Sequence, residues 1–230
     1  MRQLLLDLDA EKPQSLETFV VGQNAELAQL LSLFSTRTPS LYGERFVYLW
    51  GKPGAGKTHL LQALADTGDA RDARFLTPDA PSEAFTYTPA ISMYLLDDCE
   101  KLSPRAQIDA FNLFNEARAN GAFLIAAGNH PPMILGVRED LRTRLGWGLI
   151  YQVHGLTDED KINALEKAAQ QRSMSISAGV LPYLITHYQR DMNSLTKMLI
   201  SLDQFSLETK RPITLPLLRD FLLQQEAYTS

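Results

Sequence analysis

Short apolar runs alternate with amphipathic stretches over the first two thirds of the chain, and amphipathic stretches alone fill the rest. Asn24 to Phe34 carries apolar residues at Leu27, Leu30, Leu31 and Phe34, the spacing of one helix face. Phe46-Val47-Tyr48-Leu49-Trp50 predicts a strand, and Leu60-Leu61-Gln62-Ala63-Leu64-Ala65 a helix soon after it. Arg74-Phe75-Leu76 is a short second strand, and Ile91 to Leu96 a third. Ser103-Pro104 predicts a helix start, with Ser as N-cap and Pro at the first helical position, and Gly121 closes that helix. Phe123 to Ala127 and Leu149 to Val153 read as the remaining buried strands. Strands alternating with helices predict an α/β domain, a parallel sheet with helices on both faces. The interval from Leu76 to Ile91 is short for a crossover helix.

Beyond His154 only helices are predicted. Thr157-Asp158-Glu159-Asp160 reads as a capping box opening a helix to about Arg172. Others follow near Ala178 to His187, from about Met192 to Phe205, and from Thr214. The expected division is a tail over residues 1–18, an α/β domain over 19–154 and a small helical domain over 155–230.

Composition narrows the class. Of the 230 residues, 45% are apolar and 21% charged, as in an ordinary globular protein. No apolar stretch approaches a membrane span and no basic-then-apolar leader opens the chain, so a cytoplasmic protein without membrane contact is expected. The single cysteine, Cys99, excludes an internal disulfide, fits a reducing compartment and reads as a packing residue. Net charge is −5 and neither half has a basic excess, which argues against sequence-specific DNA binding. The four histidines have no ligand spacing, so no metal is expected beyond a nucleotide-bound Mg²⁺.

The chemistry is concentrated in Gly51-Lys52-Pro53-Gly54-Ala55-Gly56-Lys57-Thr58, which fits GxxxxGKT between a strand and a helix. Such a turn points several backbone N–H groups into one concavity, joined by the N-terminus of the next helix. Lys57 would bridge the β- and γ-phosphates of ATP, or hold the β-phosphate of ADP, and the Thr58 hydroxyl would hold Mg²⁺. Asp97-Asp98 close the apolar strand in the hhhhDD form of a Walker B motif: Asp97 would hold the Mg²⁺ shell and Asp98 would polarise the attacking water. Asn129, just past the Phe123 to Ala127 strand, either orients that water or only begins the turn at His130-Pro131-Pro132. Arg138, Arg142 and Arg144 precede Gly146-Trp147-Gly148; they form a solvated helix face, or one of them is an arginine finger acting on a neighbour.

Taken together these stretches resemble the AAA+ ATPases of bacterial replication initiation, the DnaA family, over roughly residues 17–225. Glu17-Thr18-Phe19-Val20-Val21-Gly22-Gln23-Asn24 resembles the segment leading into that family's nucleotide domain. The resemblance implies that Phe19, Val20 and Val21 belong to an adenine pocket, with Pro53, Gly54, Ala55, Gly56, Lys57, Thr58 and His59 on the phosphates. Gly56-Lys57-Thr58-His59-Leu60-Leu61 and Leu95-Leu96-Asp97-Asp98 match the family's Walker motifs, and Asn129 sits at its sensor 1 turn. Leu141-Arg142-Thr143-Arg144-Leu145-Gly146-Trp147-Gly148-Leu149 resembles its box VII, which implies Arg144 as the finger. At sensor 2 the family leads one to expect Arg, and this chain has Asn193, with Arg190 nearby but out of register.

The chain ends directly after the helical lid, so the initiator's DNA-binding domain is not expected. Gln3-Leu4-Leu5-Leu6-Asp7-Leu8 resembles a sliding-clamp-binding peptide, with Gln3, Leu4, Leu6 and Leu8 as its contacts. The alternating leucines also suit a first strand on a sheet edge. A truncated DnaA homologue with such a tail is similar to the regulatory branch of the family. That branch implies a clamp-bound adapter which presses ATP hydrolysis on DnaA and prevents re-initiation. The alternative is a stand-alone AAA+ ATPase acting in replication, such as a helicase loader. Either reading admits a homo-oligomer.

Overall fold

The computed structural model describes residues 15–41, 43–67, 72–188 and 191–229. Two compact units divide the chain after Gly155.

The first unit is built on five strands, β1 Phe46–Trp50, β2 Ala73–Leu76, β3 Met93–Leu96, β4 Phe123–Gly128 and β5 Leu149–Gln152. Their order is β2-β3-β4-β1-β5, and every pairing is parallel. Because side chains alternate along a strand, each strand feeds two faces. Val47 and Leu49 of β1 pack with Ile125 against helices α1 Ala25–Ser35 and α2 Lys57–Ala65, through Leu27, Leu31, Phe34, Leu60 and Leu64. Phe46 and Tyr48 pack with Leu124 and Ala126 against α3 Pro104–Ala119 and α4 Glu139–Leu145, through Ala110, Leu113, Phe114, Leu141 and Leu145. Ser103 caps α3 by accepting the Ala106 N–H, as its sequence predicts.

Two expectations need correction. The stretch Leu149 to Val153 is not a buried strand: β5 is the sheet edge, and its residues alternate between half-buried and exposed, with Ile150 45% exposed. The expected strand from Ile91 begins only at Met93, because the Ile91 N–H turns back onto the Thr88 carbonyl at 2.9 Å; the link from β2 has no crossover helix. A 3-10 turn, Ser82–Phe85, takes its place and plants Phe85 in the core. Arg74 on β2 supplies what a helix would have supplied. Its guanidinium donates to the carbonyls of Ala84 and Thr86 at 3.0 and 2.9 Å and lies over the Tyr94 ring.

Asn24, just before α1, fastens the chain where it leaves β5. Its side chain donates to the His154 carbonyl at 2.9 Å and accepts the His154 N–H at 2.8 Å.

The second unit comprises α5 Asp158–Gln171, α6 Val180–His187, α7 Met192–Thr209 and α8 Leu215–Thr229. Leu165, Leu184, Leu195, Leu199, Leu202, Leu217 and Leu218 form its core. The capping box opening α5 is present: the Thr157 hydroxyl accepts the Asp160 N–H and the Asp160 carboxylate accepts the Thr157 N–H, both at 3.1 Å. Among the described residues no helix is long and apolar enough to cross a membrane.

Candidate functional site

Parallel strands bring their carboxyl ends to one sheet edge, and the parallel register of β1, β3 and β4 gathers the residues that follow them: Gly51 to Gly56, Asp97 and Asn129. The chain turns from β1 into α2 through Gly54 and Gly56, at φ 78° and 100°. At Gly56 a Cβ would stand 3.1 Å from the Phe19 ring as well as being strained, so only glycine lets Phe19 close over the turn.

Lys57 is 6% exposed, unusual for lysine. Its ammonium donates to the carbonyls of Gly51 and Lys52 at 2.8 and 3.2 Å and to Asn129 Oδ1 at 3.0 Å. Burial holds its pKa below the ordinary lysine value, opposed by the negative charges of Glu100, Asp97 and Asp98. The Thr58 hydroxyl donates to Asp97 Oδ2 at 2.6 Å, and Asp97 is itself buried at the end of β3. Thr58 and Asp97 are hard oxygen donors side by side. They fit an Mg²⁺ held by one or two protein oxygens and completed by phosphates. Among the described residues no cluster of three His, Cys, Asp or Glu could hold a metal independently.

His59 lies behind the turn. Its Nε2–H donates to the Ser15 carbonyl at 3.2 Å, and its ring is 5.9 Å from that of Phe19. Burial lowers its pKa, against the raising effect of the Ser15 bond. Val20 is half-buried and Val21 exposed. Pro53 and Gly54 are exposed, and Ala55 is buried in the α1–α2 core.

The acidic pair separates. Asp98 adopts a left-handed conformation, φ 47°, and its carboxylate is bonded to Lys101 at 2.7 Å. Cys99 is wholly buried, as its packing role requires, and burial drives its thiol pKa upward. The short turn Cys99–Lys101 then returns Glu100 toward the end of β4, where its Oε2 accepts the Asn129 N–H at 3.3 Å. Glu100 is absent from the motif reading; its only trace in the sequence is its place three residues beyond Asp97.

Arg144 lies elsewhere. The turn after α4 runs into the start of β5, and Gly148 sits against the carbonyl of Phe46, the first residue of β1. This is the amino edge of the sheet, a five-residue strand or roughly 16 Å from the phosphate turn. The Arg144 guanidinium stacks on Trp147, 3.6 Å from the ring centre, lies 5.0 Å from the centre of Phe111, and donates from Nε to Asn115 Oδ1 at 2.9 Å. Arg118 also lies over Trp147, at 4.3 Å. Arg138 pairs with Asp140, and Arg142 is half-buried on α4. Arg144 is thus far from this chain's own phosphate turn.

Gln3, Leu4, Leu6, Leu8 and Arg190 lie outside the described residues. Asn193 falls in the first turn of α7, and its side chain is likewise outside them.

A glycine turn, a buried lysine, a strand-end aspartate and a strand-end asparagine at one edge of this sheet, followed by a helical unit, define an AAA+ P-loop fold. Residues 10–85 match the bacterial DnaA ATPase domain, and residues 158–222 match the lid domain of Hda. A Haemophilus influenzae protein of uncharacterised function is 34% identical over 233 residues, covering 96% of this chain and 98% of the relative. Among solved structures, domain III of the Thermotoga maritima replication initiation protein DnaA has TM-score 0.72 and 21% identity, over 95% of this chain and 98% of that one. Replication initiator DnaA bound to AMPPCP and single-stranded DNA has TM-score 0.68 and 25% identity, over 88% of this chain and 69% of that one. The chain is a DnaA-like AAA+ protein that resembles Hda, and this likeness supports a regulatory role in replication.

Proposed function

We propose that this chain is a nucleotide-binding adapter that docks on the DNA polymerase sliding clamp and promotes hydrolysis of DnaA-bound ATP, so that replication does not restart. The observation that carries this reading is the separation of two polar side-chain groups within one AAA+ domain. A phosphate-type corner built on Lys57, Thr58, Asp97 and Asn129 stands at the carboxyl edge, and Arg144 at the opposite one. The first suits ADP or ATP in this chain. The second suits action on a nucleotide held by another subunit, and the likeness to Hda supports DnaA as that subunit.

In the phosphate corner Lys57 neutralises phosphate oxygens, exchanging its carbonyl partners for charge-assisted bonds. Mg²⁺, when bound, supplies positive charge shared between phosphate oxygens, and Thr58 and Asp97 would hold it. Phe19 lies over the glycine turn with His59 beside it, an apolar surface that suits a base.

The clamp contact is assigned to Gln3, Leu4, Leu6 and Leu8. Gel filtration with purified sliding clamp tests it. The parent co-elutes, Gln3→Ala does not, and both bind ADP equally; co-elution of a chain deleted over residues 1–10 overturns the assignment. ATP turnover by the chain alone and with DnaA separates the adapter from a stand-alone ATPase, which would turn over without DnaA.

A further inference from the structure

We propose that Glu100 is an internal rival of the nucleotide's phosphates: its carboxylate balances the Lys57 ammonium and thereby sets how tightly phosphate is held. The inference rests on the phosphate corner proposed above and gives that corner a residue which no motif assigns.

Three observations carry it. First, Asp98 is turned away onto Lys101, so the acidic group brought back over the end of β4 is Glu100. Second, Glu100 and Lys57 grip the same residue. Oε2 accepts the Asn129 backbone N–H at 3.3 Å, and the Lys57 ammonium donates to the Asn129 side chain at 3.0 Å. Third, the other carboxylate oxygen, Oε1, is buried without a hydrogen-bond partner. Glu100 as a whole is half-buried, but a carboxylate with one oxygen buried and bare is costly unless a cation compensates it. Gly128 leaves the room it needs: a Cβ there would lie 3.0 Å from Oε2 and closer still to the Tyr48 hydroxyl.

A phosphate chain entering this corner brings negative charge to an ammonium that already has a counter-charge. At the effective dielectric of a partly buried site, that repulsion weakens binding, and more so for a triphosphate than for a diphosphate. Glu100→Gln keeps the shape and an acceptor for the Asn129 N–H while removing the charge.

Calorimetry with ADP and with AMPPCP, at fixed Mg²⁺, tests this on the full chain. Glu100→Gln is expected to bind both more tightly, by about tenfold for ADP and by more for AMPPCP. Glu116→Gln, a carboxylate change on the exposed side of α3, is expected to change neither. Unchanged or weaker affinity in Glu100→Gln overturns the proposal. Should that variant not fold, Glu100→Asp withdraws the charge by one methylene and is expected to give a smaller gain; no gain overturns the proposal. A parent that binds neither nucleotide refutes the phosphate corner instead. The Lys57–Glu100 pair is then judged by a double-mutant cycle of Lys57→Met and Glu100→Gln in urea unfolding of the ligand-free chain. Coupled effects support the pair and additive effects overturn it.

Discussion

Replacing Lys57 by Met is the sharpest perturbation of the phosphate corner. The side chain keeps its length, so the space between β1 and α2 stays filled. The loss is one ammonium with its bonds to Gly51, Lys52 and Asn129. Each hydrogen bond to a charged group contributes about 1.5–3 kcal/mol net. Two such bonds to phosphate oxygens amount to at least about 3 kcal/mol, or a hundredfold or more in affinity. Folding should respond as well. Removing one partner of a charge pair leaves Glu100 and three acceptors without their cation, a loss of up to about 3–5 kcal/mol. Calorimetry with ADP and AMPPCP reads the first quantity and urea unfolding the second. Affinity equal to the parent's would refute the placement of phosphate at Lys57. Lost affinity accompanied by a collapse in stability would show only that the domain had unfolded.

Asp97→Asn should weaken mainly the Mg²⁺-dependent part of nucleotide affinity, seen by titrating with and without EDTA. His59 has a folded pKa below its ordinary 6.5, so the unfolded chain binds more protons just under that pH. Stability should therefore fall as pH drops below about 6.5, and His59→Gln should flatten that limb of a plot of Tm against pH. Thr157→Ala removes the hydroxyl that caps α5 and should cost about 1 kcal/mol in urea unfolding; no change would show the cap to be idle. Gly148→Ala would set a Cβ 2.1 Å from the Phe46 carbonyl oxygen, and should destabilise the α/β unit by about 3 kcal/mol.

What the sequence declared best was local chemistry. The glycine turn, the Ser103 cap and the apolar strands each need only a few adjacent residues of the right type. What it concealed depends on partners distant in the chain. The edge position of β5 follows from strand order, which periodicity in Leu149 to Val153 does not report. The missing crossover helix was visible as a short interval, but its replacement was not, because the Arg74 contacts reach 10 to 14 residues ahead. Asn129 was balanced between a turn residue and a site residue until its side chain met Lys57, 72 positions earlier. Glu100 was hidden for the same reason. Its importance comes from the end of β4, and nothing in Asp97-Asp98-Cys99-Glu100 says which carboxylate turns inward. Arg144 was legible only by family likeness. Its aromatic stack draws on Phe111, Asn115 and Arg118 of α3, which no spacing rule links to it.

Whether this chain acts on a nucleotide held by DnaA is read from the rate at which DnaA hydrolyses its bound ATP when mixed with this chain, ADP and sliding clamp loaded on DNA. The parent should accelerate hydrolysis. Arg144→Ala should bind ADP and clamp as the parent does and lose the acceleration, since an arginine finger supplies about 10³–10⁵ in rate. No acceleration by the parent would overturn the proposed function, and full acceleration by Arg144→Ala would overturn the role of Arg144 in it.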